Sequence, residues 1–321
     1  MFKTKITEML GIKYPIIGGT MMYITTPELV ASISEAGGFG ILASAMYTTK
    51  EQFAGAIDRI RELTDKPFGV NINLFPMKRP VDNNEYVKVL ADKKVKVVET
   101  SGHSAPVELS KSFKDAGMIW MHKCVGIRYA LKVQEFGADI VTVVGYENGG
   151  ATGRLDVGTL VLVPAVVDAL QIPVIGGGGI SDGRGFSAVL ALGAEGVIIG
   201  TRLLATQECL IHDNLKQALL NATELDTMLV MRSINATHRV WSNAAAQKCA
   251  DLEAKGASMT EILGIVSGEK AQQMYNSGDI DKGVVSCGQG VGLIHSIPTI
   301  KELFDQIIDQ ATEVTTKLVK S

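Results

Sequence analysis

One unit recurs along the chain. An amphipathic stretch closes on Ala-Gly or Gly-Ala, and a continuous apolar run, rich in β-branched residues, follows at once. Ala36-Gly37-Gly38 leads into Phe39 to Ala43, and Ala116-Gly117 into Met118 to Met121. Gly137-Ala138-Asp139 leads into Ile140 to Val144, and Gly193-Ala194-Glu195 into Val197 to Ile199. A glycine after a helix supplies the left-handed cap, and continuous rather than alternating apolarity marks parallel strands covered on both faces. Pro15 to Gly18, Phe68 to Ile72, Val95 to Glu99 and Ile172 to Ile175 complete eight predicted strands.

Helical patterns lie between them. Thr49-x-x-Gln52 reads as a capping box, after which Phe53, Ile57 and Ile60 share one face. Thr26-Pro27 reads as a cap with proline at the first helical position. Strict alternation of strand and helix predicts an α/β fold with a parallel sheet. Eight units favour a closed (β/α)8 TIM barrel over a doubly wound open sheet. After Thr206 the pattern changes to helices at Asp213 to Asn221, Ser242 to Ala254, Gly268 to Met274 and Ile300 to Leu318, with no convincing strand. The expected organisation is a barrel over 1–206 and a helical subdomain over 207–321 packed on it. The three glycines of Val285 to Ile294 suggest a close backbone approach or simple turns.

Composition narrows the function. The chain has 321 residues, 46% hydrophobic and 20% charged, with a formal net charge of -3. That gives no electrostatic case for nucleic acid or an anionic membrane. The start of the chain lacks the apolar core of a secretion signal, and Val157 to Ile180 is broken by prolines, Asp168 and glycines. A cytoplasmic protein without membrane insertion is expected, acting on a small molecule; a homodimer stays open. Cys124, Cys209, Cys249 and Cys287 lack metal-ligand spacing, so free thiols and no metal are expected.

The most informative stretch is Ile172-Pro-Val-Ile-Gly-Gly-Gly-Gly-Ile-Ser-Asp-Gly-Arg-Gly185, answered by Val197-Ile-Ile-Gly-Thr-Arg202. Glycines let backbone N–H groups approach an anion, and barrels hold phosphates after strands seven and eight. The other strand ends are mostly small, amide-bearing or glycine, which suits a planar polar cofactor better than hydrolysis. Lys123, ending an apolar strand, is placed to steady a reduced flavin's negative edge; a Schiff-base role is the rival. Adjacent His122 points to the opposite face and reads as packed. Cys124 lacks an evident base.

At these residues the chain resembles the nitronate monooxygenase family of FMN-dependent barrels, a group that also contains NADH:quinone reductases and flavin-dependent enoyl-acyl reductases. The likeness runs through Pro15 to Gly19, Pro67 to Asn71, His122 to Cys124, Gly178 to Arg184, Gly200 to Arg202, Met231 to Ser233, Val266 to Gly268 and Gly288 to Leu293. It implies that Thr20, Met21 and Met22 back the flavin ring, and that Asn73 and Lys123 contact its polar atoms. Gly149 and Gly150 would flank the ring. Gly177, Gly178, Gly179, Gly200 and Thr201 would bind the FMN phosphate. The resemblance also implies a histidine in Glu-x-x-Gly-His-x-Gly; here the segment is Glu147-Asn-Gly-Gly-Ala151-Thr-Gly153. Ala151 can neither take nor give a proton. Asn73 stands where a threonine is common, and Val144 where the family has an acid.

The expected activity is therefore an FMN-dependent oxidoreductase using NADH or NADPH to reduce a quinone-like or enoyl substrate, an acyl thioester among the options. Lys123, Tyr146 and Asn148 are its candidate catalytic residues. Nitronate oxidation by O2 is the alternative. A redox-neutral isomerase or a low-turnover flavin-binding protein is a third.

Overall fold

A computed structural model describes residues 2–74, 81–102 and 105–320. Its strands are β1 (Ile16–Gly18), β2 (Gly40–Ala43), β3 (Phe68–Asn73), β4 (Val97–Ser101), β5 (Ile119–Cys124), β6 (Ile140–Val144), β7 (Gly150–Ala151), β8 (Val174–Gly177), β9 (Gly196–Ile199), β10 (Thr227–Val230) and β11 (His238–Trp241). Eight form one sheet in the order β1-β9-β8-β6-β5-β4-β3-β2. The parallel bridge between Ile17 and Phe39 sets β1 beside β2 and closes the ring, so the fold is the expected (β/α)8 barrel. β1, β2, β4, β6, β8 and β9 are buried along their whole length, as their apolar runs require, and β4 buries Glu99, Thr100 and Ser101 as well.

The chain divides into two compact units. One comprises Met1–Val143, Leu162–Gly176 and Ala188–Ile198; the other comprises Val144–Val161, Gly177–Ser187 and Ile199–Ser321. In the first, Thr26 caps the helix Pro27–Glu35 with Pro27 at its start. Thr49 caps Lys50–Leu63, but only half of the expected box forms, because the Gln52 carboxamide accepts from Thr48 N–H instead of Thr49 N–H. The centroid of Trp120 lies 5.9 Å from that of Phe113 in the helix Val107–Asp115, which marks Trp120 and His122 as facing the helices. Their neighbours Met121 and Lys123 therefore face the barrel interior.

The second unit corrects the expectation of an all-helical region. Residues 227–241 form an antiparallel pair, Thr227 opposite Trp241 and Val230 opposite His238. β11 pairs in turn with β7, a two-residue strand in the loop after β6. A four-residue strand whose partner lies some ninety positions away leaves no periodic trace. The helices Asp213–Leu220, Ala244–Ala254, Gly268–Ser277 and Ile300–Lys320 match expectation, and Met259–Val266 is an additional one. Among the described residues no helix is long and apolar enough to cross a membrane.

Candidate active site

In the first unit, parallel register aligns Asn71 with Glu99, Asn73 with Ser101, Ser101 with Lys123, and Lys123 with Thr142. These residues share the inward face of β3 to β6, and Glu99 is its centre. Its side chain is 0% exposed. Its Oε2 accepts from the Thr20 hydroxyl at 2.8 Å and the Asn71 amide at 2.6 Å. Lys123 Nζ stands 3.8 Å from the same oxygen, its side chain 22% exposed. Among the described residues Glu99 Oε1 and Thr142 Oγ1 have no hydrogen-bond partner. Of the residues implied to back a flavin, Thr20 belongs to this network. Met21 starts a turn closed by Thr25, and Met22 is exposed. Asn73 ends β3 half-buried.

Sequence reasoning missed Glu99. The available signal was a lone carboxylate in the run Val95-Lys-Val-Val-Glu-Thr-Ser101, two residues before a strand end.

His122 is buried with its Nδ1 2.8 Å from Thr100 Oγ1, which also accepts from the Trp120 indole. Burial, with Lys123 next to it, lowers the imidazole to about 4, so it is neutral. Burial pushes the Cys124 thiol up to about 12, far from a nucleophile.

In the second unit the loop after β6 is built on backbone contacts. Glu147 accepts from the Thr159 N–H and hydroxyl, and so caps the helix Thr159–Ala169. The Thr159 hydroxyl also lies 3.2 Å from the Gly177 carbonyl and 3.1 Å from that of Gly178. Gly145 N–H donates to Gly177 O as well. In a trans peptide the N–H points opposite to the carbonyl. With both carbonyls turned to Thr159, the N–H groups of Gly178 and Gly179 point together the other way, a concavity suited to an anion. A Cβ on Gly178 would stand 2.5 Å from Thr159 Oγ1, so this glycine is also required by packing.

The following helix, Gly183–Ala191, contributes less to an anion site than the sequence suggests. Asp182 accepts from the N–H groups of Arg184 and Gly185, and Gln310 accepts from Gly183 N–H. The first donors of that helix are already taken.

Gly288, the first glycine of Val285 to Ile294, finds its reason here. Cβ atoms on Gly149 and Gly288 would meet each other's loops, at 2.7 Å from Gly288 N and 2.5 Å from Glu147 O. Gly288 N–H donates to Thr201 Oγ1 at 2.9 Å, and Gly200 caps the short helix Thr201–Leu204. Gly150 pairs with Arg239, and Ala151 with His238. Arg239, buried, donates to Tyr146 O and Thr227 Oγ1 and lies 4.4 Å from the Tyr146 ring centroid. Asn148 spends its amide on the Ala151 carbonyl at 3.3 Å. Tyr146 and Asn148 thus act first as loop structure.

This chain, a barrel with glycine loops after β6 and β8 and a lysine one residue before the end of β5, matches the nitronate monooxygenase profile over residues 3–88 and 78–310. The chain belongs to the nitronate monooxygenase family. It is 34% identical to (3aS,4S,5R,7aS)-5-hydroxy-7a-methyl-1-oxo-octahydro-1H-indene-4-carboxyl-CoA dehydrogenase of Rhodococcus jostii (strain RHA1), over 96% of both chains. It is 32% identical to a probable nitronate monooxygenase of Staphylococcus aureus (strain MSSA476), over 71% of this chain and 75% of the relative. The structure of FabK from Thermotoga maritima superposes with a TM-score of 0.92 at 33% identity, covering 100% of this chain and 99% of FabK. The protein is an oxidoreductase enzyme, and its family supports a flavin cofactor.

Proposed function

We propose that the protein is an FMN-dependent oxidoreductase that passes a hydride between a nicotinamide and an acyl-thioester substrate, the enoyl thioester being the favoured form. The observation that carries this reading is full-length likeness to a carboxyl-CoA dehydrogenase and to FabK, joined to an alanine at 151. A bound flavin supplies the hydride acceptor and donor.

The chain's own residues fit such a group in two places. The paired N–H groups of Gly178 and Gly179 suit a phosphate, and Gly177, Gly200 and Thr201 are the further residues that the family resemblance assigns to it. The inward face of β3 to β5 carries Asn73, the Ser101 hydroxyl and the Lys123 ammonium, groups that would meet a ring edge of carbonyls. Thr20, Met21 and Met22 would line its other side, and Gly149 and Gly150 remain candidate flavin contacts by the family resemblance alone. Lys123 holds developing negative charge, and Glu99 keeps Thr20 and Asn71 in place. Ala151 supplies no proton, so the proton that accompanies hydride addition comes from water or Tyr146. NADH and NADPH are both candidates for the donor.

Nitronate oxidation is the second reading, favoured by the family profile and the Staphylococcus aureus relatives. A nitronate is already an anion and needs no base at 151.

Denaturing the purified protein and chromatographing the released flavin tests the cofactor. FMN is expected. FAD, or protein that takes up no added FMN, contradicts the proposal.

A further inference from the structure

Glu99 and Lys123 are an ion pair in which only one partner is fully engaged. The carboxylate is 0% exposed and is fixed by neutral donors, the Thr20 hydroxyl and the Asn71 amide, both on Oε2. Lys123 Nζ lies 3.8 Å from that oxygen, beyond hydrogen-bonding distance, so the ammonium feels the charge without spending a donor on it. An ammonium carries three N–H donors, and 22% of the Lys123 side chain is exposed. Glu99 Oε1 has no partner among the described residues. The carboxylate is therefore deeper and more fixed than binding a lysine requires. In a low-dielectric interior, unit charges a few ångströms apart alter each other's interactions strongly.

We propose that Glu99 is a positioning residue that sets the electron affinity of the bound flavin by offsetting the charge of Lys123. This rests on the reading that FMN binds beside Lys123. Hydride transfer oxidises the nicotinamide, reduces the ring by two electrons, and leaves one added negative charge there. Lys123 favours that charge and Glu99 opposes it. Together they hold the potential in a middle range, where the ring can be reduced by a nicotinamide and still pass its hydride onward.

The test measures the midpoint potential of FMN-loaded protein by equilibration with a reference dye. Glu99→Gln preserves the size and acceptor of the side chain and removes the charge. It should favour reduced over oxidised FMN about tenfold, which for a two-electron couple is about 30 mV upward. Lys123→Met should shift the potential downward. In the Lys123→Met background the Glu99→Gln shift should shrink, because much of the effect runs through the lysine. Glu99→Asp, which keeps the charge, should stay near the native potential and covers the case in which Glu99→Gln folds poorly. FMN-loaded Glu99→Gln with an unchanged potential would overturn the inference, as would an equal shift in Glu99→Asp. Native protein that takes up no FMN would overturn the flavin reading itself, and is told apart by the missing flavin absorbance.

Discussion

On the inward face of β3 to β5, polarity is carried by side chains: Glu99 at the centre, Thr20 and Asn71 on its Oε2, Lys123 at 3.8 Å. In the loops at 145–149, 177–179 and 287–290 it is carried by backbone, with carbonyls turned to Thr159 and glycines pressed against glycines. The first arrangement depends on charge and tolerates an isostere in shape. The second depends on the absence of a Cβ and tolerates almost no substitution.

Gly288→Val should show the largest effect of this contrast. Its Cβ would stand 2.5 Å from Glu147 O, between two backbones that cannot yield as a flexible side chain can. A loss of about 3 kcal/mol in chemical denaturation is expected, the upper range for overpacking. Gly149→Val should behave alike. If both variants kept native stability, the tight contact between these loops would be wrong.

Glu99→Ala should cost about 2 kcal/mol, since it removes the acceptor of the Thr20 hydroxyl and leaves the buried Asn71 amide with Ser101 Oγ alone. Glu99→Gln should cost clearly less, and equal losses would break the claim that geometry survives the isostere.

His122 gives a pH dependence. Its imidazole is lowered from 6.5 to about 4 by burial and by Lys123, so the unfolded chain binds the proton more readily. Stability is then full above about pH 6.5 and falls as pH drops toward 4. Between pH 6.5 and 5 this one group should remove roughly 1.5 kcal/mol, and His122→Gln should flatten that part of the profile. An unchanged profile would place the histidine in a wetter setting.

The smallest expected effect is on the thiols. Cys124 and Cys287 are pushed up to about 12, and Cys209 and Cys249 to about 11, all by burial. Native protein should resist iodoacetamide near pH 8 and react only once unfolded. Rapid native alkylation followed by mass spectrometry would identify an open site.

The barrel strands were legible because parallel strands buried on both faces leave unbroken apolar runs. β10 and β11 were not, since each is only four residues long and the second partner of β11, Gly150 and Ala151, lies far along the chain. The glycine run after β8 stood out as a candidate anion cradle, but its packing reason lies in Thr159. The closeness of Gly288 to Gly149 likewise depends on a distant partner. Lys123 stood out as a cation ending an apolar strand. Glu99 did not, because a strand-end carboxylate reads as solvated until the register sets it against Asn71 and Thr20.

The central claim is hydride transfer through a flavin to an acyl thioester. Its most direct test is anaerobic: FMN-loaded protein is mixed with NADH or NADPH, and an enoyl-CoA is added once the flavin absorbance has bleached. The account predicts bleaching by one of the nicotinamides and rapid recovery of the flavin colour on adding the thioester, with matching loss of its double bond. Bleached flavin that ignores enoyl thioesters, with ready aerobic oxidation of an alkyl nitronate, would contradict it.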